Sequence, residues 1–192
     1  MRLTSRLAVL AILTAATLAA HANTITYTES AIGTGSLGKT DFTNALVTIT
    51  ATGDTGNVVD EGGGIFVIIL PAELTVQGLG STMFTDIIQF VSNNGSEDAG
   101  VGDDTNGQGV LFTDNSVFST YNLQTGIGPI SGVPGFNSGV SFGTEDGAFV
   151  TTSFDTSTFE AVTSSVPEPS TIAMLGTGLL GLAGMARRKF SR

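Results

Sequence analysis

The sequence predicts an all-β domain, an antiparallel β-sandwich, and three observations carry that expectation. Apolar residues recur with period two: in residues 23–28 threonines alternate with Ile25 and Tyr27, and in 47–52 they alternate with Val47, Ile49 and Ala51. Glycines and Asn-Gly pairs punctuate the chain at intervals of roughly 8–12 residues, the rhythm of short strands joined by turns. No ten-residue stretch has convincing helical amphipathicity; residues 82–91, where Met83, Ile87, Ile88 and Val91 also fit helical spacing, come nearest.

Taken in order, 23–28 and 47–52 read as half-buried strands with one apolar and one hydroxylated face. Residues 64–70 (GIFVIIL) are continuously apolar up to Pro71, which predicts a central strand buried on both sides. Further strands are expected at 73–78, 82–92, 109–113, 117–123, 139–142, 148–154 and 158–163, with 92–109 left as a polar loop. No repeat of fixed period supports a solenoid or propeller. Residues 23–165 suffice for a core without disulfides, and the chain has no cysteine.

The two ends have a different character. Arg2 and Arg6 precede an apolar run at 7–18, and Ala20-His21-Ala22 supplies small residues around a cleavage point. This is the order of a secretory signal peptide over 1–22, cut by signal peptidase at Ala20 and Ala22. At the other end Pro167 and Pro169 interrupt regular structure. Residues 171–186 then run without a charge, as a single transmembrane helix would, and Arg187, Arg188, Lys189 and Arg192 close the chain. These basic residues would flank the membrane on the cytoplasmic side, leaving 23–165 outside. The expected organisation is a signal peptide (1–22), an acidic β ectodomain (23–165) and a C-terminal segment (166–192).

The string VPEPSTIAMLGTGLLGLAGMARRK resembles the PEP-CTERM sorting signal of Gram-negative bacteria: a Pro-Glu-Pro motif, a Gly/Leu-rich membrane stretch and an arginine-rich end, in that order. The resemblance implies Pro167, Glu168 and Pro169 as recognition residues for an exosortase-type enzyme. It also implies a transient inner-membrane anchor, then transfer to the cell surface or the extracellular space. Such proteins often accompany exopolysaccharide and biofilm-matrix systems. The same kind of tail is also labelled an ice-binding protein C-terminal domain, which describes the tail and not the chain before it. Gly176 to Gly181 satisfies G-x-G-x-x-G but lacks the preceding strand and crossover helix of a nucleotide site; its glycines suit a packed membrane helix. The stretch around Tyr121-Asn122-Leu123 and residues 127–132 resembles an ectodomain type recurrent among these proteins, one that brings no assigned activity.

Charge narrows the partners. Residues 23–165 hold 16 of the 17 acids and one base, Lys39, a net charge of −15. Such a domain cannot neutralise a phosphate backbone or dock on anionic headgroups, which excludes nucleic acid. The only histidine is His21, so thiolate and imidazole chemistry are absent from the mature domain, and no catalytic residue and no cofactor is assigned. Asp103, Asp104 and Asn106, with Glu97-Asp98 nearby, are the candidate calcium ligands, since calcium wants six to eight oxygens; a solvated hairpin is the simpler reading. Asn94-Gly95-Ser96 forms an N-glycosylation sequon. The threonine rows could order water as an ice-binding face does, but they are short and separate in the sequence. The expectation is an exported, non-enzymatic surface or matrix protein. The alternatives are a secreted glycan hydrolase using two carboxylates, disfavoured because the domain lacks Trp and holds only Tyr27 and Tyr121 as tyrosines, or a calcium- or ice-binding surface module.

Overall fold

Alternation near the N-terminus produces two long strands, far longer than the segments that announce them. The computed structural model describes residues 24–164. Within it β1 (Thr24–Leu37) and β2 (Thr40–Asp54) pair in register, burying Ile25, Tyr27, Val47 and Ile49 on one face and setting threonines on the other. There follow β3 (Val59–Gly62), β4 (Ile65–Ile69), β5 (Glu73–Val76), β6 (Gly80–Met83), β7 (Ile88–Asn93), β8 (Asp98–Asp103), β9 (Gln108–Asp114), β10 (Ile127–Gly135), β11 (Ser141–Thr144) and β12 (Gly147–Ser164). The fold is all-β, and every ladder is antiparallel.

Where a sandwich of two sheets was expected, one curled sheet is found. Its order is β3-β4-β7-β8-β9-β10-β12-β1-β2-β5-β6, with β11 beside β12. The turn of the curl is β10: Ile127, Ile130, Ser131 and Gly132 pair with β12, and Val133–Gly135 pair with β9. A strand that changes partner in this way makes the corner between layers. Its Pro129 and Pro134 suit a strand whose ladders are incomplete. The two arms of the sheet face each other across the core, where the Tyr27 ring stacks on Phe90 at 5.2 Å and Phe159 meets Phe118 edge-on at 5.6 Å. At one end the second arm closes on itself. Phe84 bridges Thr144, the Thr85 N–H donates to the Gly143 carbonyl (2.9 Å), and the Glu145 N–H donates to the Met83 carbonyl (3.0 Å). Phe42, Phe84 and Phe149 pack inside this closed end.

Several expectations are corrected. The apolar run at 64–70 is not a strand buried on both sides. It forms β4, one place from the sheet edge, and Ile69 is 55% exposed because only one face meets the core. The run 82–92 is interrupted at residues 84–87 and yields β6 and β7. Residues 117–123 do not form a strand: the Asn115 side chain accepts from the Val117 N–H and starts a 3-10 turn, Ser116–Thr120, that drops Phe118 into the core. The polar loop at 92–109 contains β8, whose Ala99 and Val101 are fully buried. Segments 148–154 and 158–163 are one strand, β12, carried past Asp155 and Thr156. Among the described residues no helix is long and apolar enough to cross a membrane. The signal peptide at 1–22 and the helix at 171–186 lie outside the described residues.

Candidate functional site

The first functional feature is where the ends meet. Thr24, at the start of β1, is the register partner of Ser164, at the end of β12. Paired Cα atoms in such a ladder lie ~5 Å apart. The chain therefore enters and leaves the domain at one pole, with the turn between β1 and β2 at the other, roughly 45 Å along the strand by its rise per residue. The expected cleavage residues Ala20 and Ala22, the recognition residues Pro167, Glu168 and Pro169, and the basic Arg187, Arg188 and Lys189 all lie outside the described residues.

The acidic cluster is split by the strand it contains. Glu97 and Asp98 are at one end of β8, Asp103 and Asp104 at the other, roughly 17 Å apart by strand rise. Asp103 Oδ1 accepts from the Thr105 N–H (2.8 Å), Asp103 Oδ2 from the Asn106 side chain (2.6 Å), and Asn106 Oδ1 from the Gln108 N–H (2.9 Å). The candidate calcium ligands thus hold the β8–β9 turn. Among the described residues no group of three His, Cys, Asp or Glu side chains could hold a metal ion. The sequon is engaged as well: Asn94 Nδ2 donates to the carbonyls of Phe118 (2.7 Å) and Tyr121 (2.8 Å).

Two features went unread in the sequence. Glu29 is fully buried between the arms, its Oε1 2.6 Å from Thr113 Oγ1, which is 2.8 Å from Ser157 Oγ, while its Oε2 has no partner. Burial holds its carboxyl well above the usual carboxylate range, and the Thr113 hydrogen bond opposes that only in part. The Thr113 hydroxyl is placed to donate to Glu29 Oε1 or to Ser157 Oγ, and the Ser157 hydroxyl donates to the Phe112 carbonyl (3.2 Å). The signal was present, since Glu29 falls in the buried phase of Ile25, Tyr27 and Ala31. The second feature is the union of the threonine rows, which are adjacent and not separate. Ser131, Thr158, Ser30, Thr48, Thr75 and Ser81 are successive register partners across six strands. Neighbouring strands of a sheet turn by roughly 20–25° relative to one another, so a row across six strands is expected to wind with the sheet.

Comparison with known proteins bears on the segment beyond β12. Residues 165–189 match the PEP-CTERM protein-sorting motif, starting one residue after the last residue of β12. This defines a class of protein: one that is exported, held at the membrane and directed to the cell surface. More particularly, the chain carries a PEP-CTERM sorting motif at its C-terminal end, and that motif indicates a surface protein sorted by an exosortase-type enzyme. No curated protein and no solved structure matches the chain.

Proposed function

We propose that the chain is a non-enzymatic surface protein whose acidic β domain associates with the cell's exopolysaccharide after signal peptidase and an exosortase-type enzyme have processed its two ends. The observation that carries this reading is the placement of the sorting motif: it begins at residue 165, directly after β12, whose last residue pairs with the first described residue of β1. A domain held through one pole leaves both outer faces and the far pole free to meet the matrix. The absence of Cys, and of His beyond His21, together with the burial of Glu29, supports a binding role over catalysis.

Intact-mass measurement of the protein recovered from the cell surface tests the processing. The expected form starts at Asn23 and lacks Arg187, Arg188, Lys189 and Arg192. Its only basic side chain is then Lys39, and it focuses at a markedly more acidic pH than the precursor. The variant Glu168→Gln, which removes the carboxylate and keeps both prolines, traps the full-length chain in the membrane. A wild-type surface form that keeps the arginine-rich end would make the tail a permanent anchor. Association is tested by fractionation: the protein is expected to travel with extracted exopolysaccharide and to be freed when that polymer is digested.

A further inference from the structure

On the outer face of β8 two positions are glycine, Gly100 and Gly102, set between Gln89 and Val91 of β7 and Phe112 of β9. In β9, Leu111 and Thr113 are fully buried, so alternation turns Phe112 outward. Phe112 is half-buried and stands outside the hydrophobic core cluster. It lies over glycines: a Cβ at Gly100 would meet the ring at 3.0 Å, one at Gly109 at 3.1 Å and one at Gly102 at 3.7 Å. A register shift between Val101 and Gly102 makes this arrangement, because Val101 pairs with Leu111 and Gly102 with Gly109, leaving Val110 as an extra, inward residue. Bulges re-aim neighbouring side chains in this way.

The surroundings are polar at the rim. On one side Gln89 is the partner of Gly102, and its Nε2 lies 3.8 Å from where a Gly102 Cβ would be. Asn137 Oδ1 accepts from the Gly109 N–H (2.6 Å), which fixes that amide, and its Nδ2 takes no partner among the described residues. On the other side Asp98 and Asp114 are cross-strand partners on the same face as Phe112. Val91 and Gly135 continue the row through Gly100 and Phe112.

We infer that Phe112 on its glycine bed is a stacking platform for a pyranose ring of a neutral polysaccharide, with the Gln89 and Asn137 amides and the Asp98 and Asp114 carboxylates as hydrogen-bond partners at its rim. The inference rests on the exopolysaccharide association proposed above and names the site that carries it. A sugar ring has an apolar C–H face to lay on an aromatic ring and equatorial hydroxyls that reach donors and acceptors around it, and this face supplies each in the right place. The glycines let the Phe112 ring pack directly on the sheet backbone, which leaves its outer side to the sugar. A domain of net charge −15 repels polyanions, which selects an uncharged chain. A purely structural role, the aromatic cover of its partner Gly100, would show instead as a lowered unfolding midpoint in Phe112→Leu with the sugar affinity of the folded protein unchanged.

The test uses the full chain in a non-sugar detergent, run by affinity electrophoresis through gels containing the neutral or the anionic polysaccharide fraction extracted from the producing cells, with alginate as an anionic reference. The neutral fraction is expected to retard the wild-type chain and alginate is not. Phe112→Leu, which keeps an apolar cover over Gly100, should lose affinity by about tenfold or more with an unchanged unfolding midpoint. Gln89→Ala, which leaves the ring in place, should lose it severalfold. Retardation of both variants equal to wild type would overturn the site while leaving the association standing. Retardation by the anionic fraction alone would overturn the neutral ligand. Wild-type mobility unchanged by every fraction would remove the association itself, and the site with it.

Discussion

The two outer faces of the curled sheet obey the same alternation and carry opposite chemistry. On the face of β1, β2, β5, β6 and β12 most outward positions hold Thr, Ser or Glu, with Ile32, Leu46 and Val162 as exposed apolar exceptions, and neighbouring hydroxyls satisfy one another: Thr26 with Thr52 at 2.8 Å, Thr75 with Ser81 at 2.7 Å. On the face of β8 and β9 the outward positions are Gly100 and Gly102 around Phe112, flanked by Asp98 and Asp114. The difference teaches what each surface can offer a partner. A hydroxyl already bonded to its neighbour adds little in exchange for water. An aromatic ring left beside bare backbone keeps its hydrophobic gain in reserve for whatever covers it.

The comparison breaks most sharply at Gly100. A side chain there would run into the Leu111 carbonyl and the Phe112 Cα, both backbone, so Gly100→Val should cost about 3 kcal/mol or more in urea unfolding. A loss below about 1 kcal/mol would show that the strands on this face can separate.

Beneath the hydroxylated face, Glu29 makes stability depend on pH. Its carboxyl titrates higher in the folded state than in the unfolded chain. The stabilisation is therefore complete below the unfolded value near pH 4.3, and it falls by ~1.4 kcal/mol per pH unit as pH rises toward the folded value. Among the described residues no cation compensates: Lys39 sits in the β1–β2 turn at the far pole, Glu160 pairs with Thr28 on the outer side of β12, and Asp114 points outward from β9. Glu29→Gln should flatten the profile between pH 5 and 7 when midpoints are measured across that range, and an unchanged slope would refute the assignment.

A smaller effect is expected at the rim of the glycine face. Burial raises the Asp98 pKa; a Ser96 hydrogen bond lowers it, and the charge of Asp114 raises it again. Asp114→Asn should bring the Asp98 titration down in a carboxylate NMR experiment and stabilise the domain by about 0.5 kcal/mol, as expected when like charges stand opposite each other across a ladder. The smallest effect belongs to the hydroxylated face, where Thr50→Val should change stability by less than about 0.5 kcal/mol. A larger loss would mean the hydroxyl rows hold the sheet together.

Legibility followed side-chain contrast. Strands β1 and β2 were readable because Thr alternates with Ile, Val and Tyr, and β5 because its apolar residues alternate up to Gly78. Strand β8 (DAGVGD) was hidden because its outward positions are acids and glycines, so only Ala99 and Val101 mark its inner face. Strand β10 was hidden because Pro129 and Pro134 argue against a paired strand, and the corner position that tolerates them is a tertiary fact. Glu29 was legible in phase and overlooked in kind. The role of Phe112 was not legible at all: Val110-Leu111-Phe112 is an unbroken apolar run, and which member turns outward depends on a bulge set by the pairing with β8. The sorting motif was the plainest of all, because it depends on local order and not on packing.

Amide hydrogen exchange of the wild-type chain, with and without the neutral polysaccharide fraction, tests most directly whether the two faces differ in function. Slowed exchange is predicted in peptides covering β8 and β9, Asp98–Asp103 and Gln108–Asp114, with β2 unchanged at Thr40–Asp54. Slowing confined to β1, β2 and β5 would place the polymer on the hydroxylated face and contradict the account.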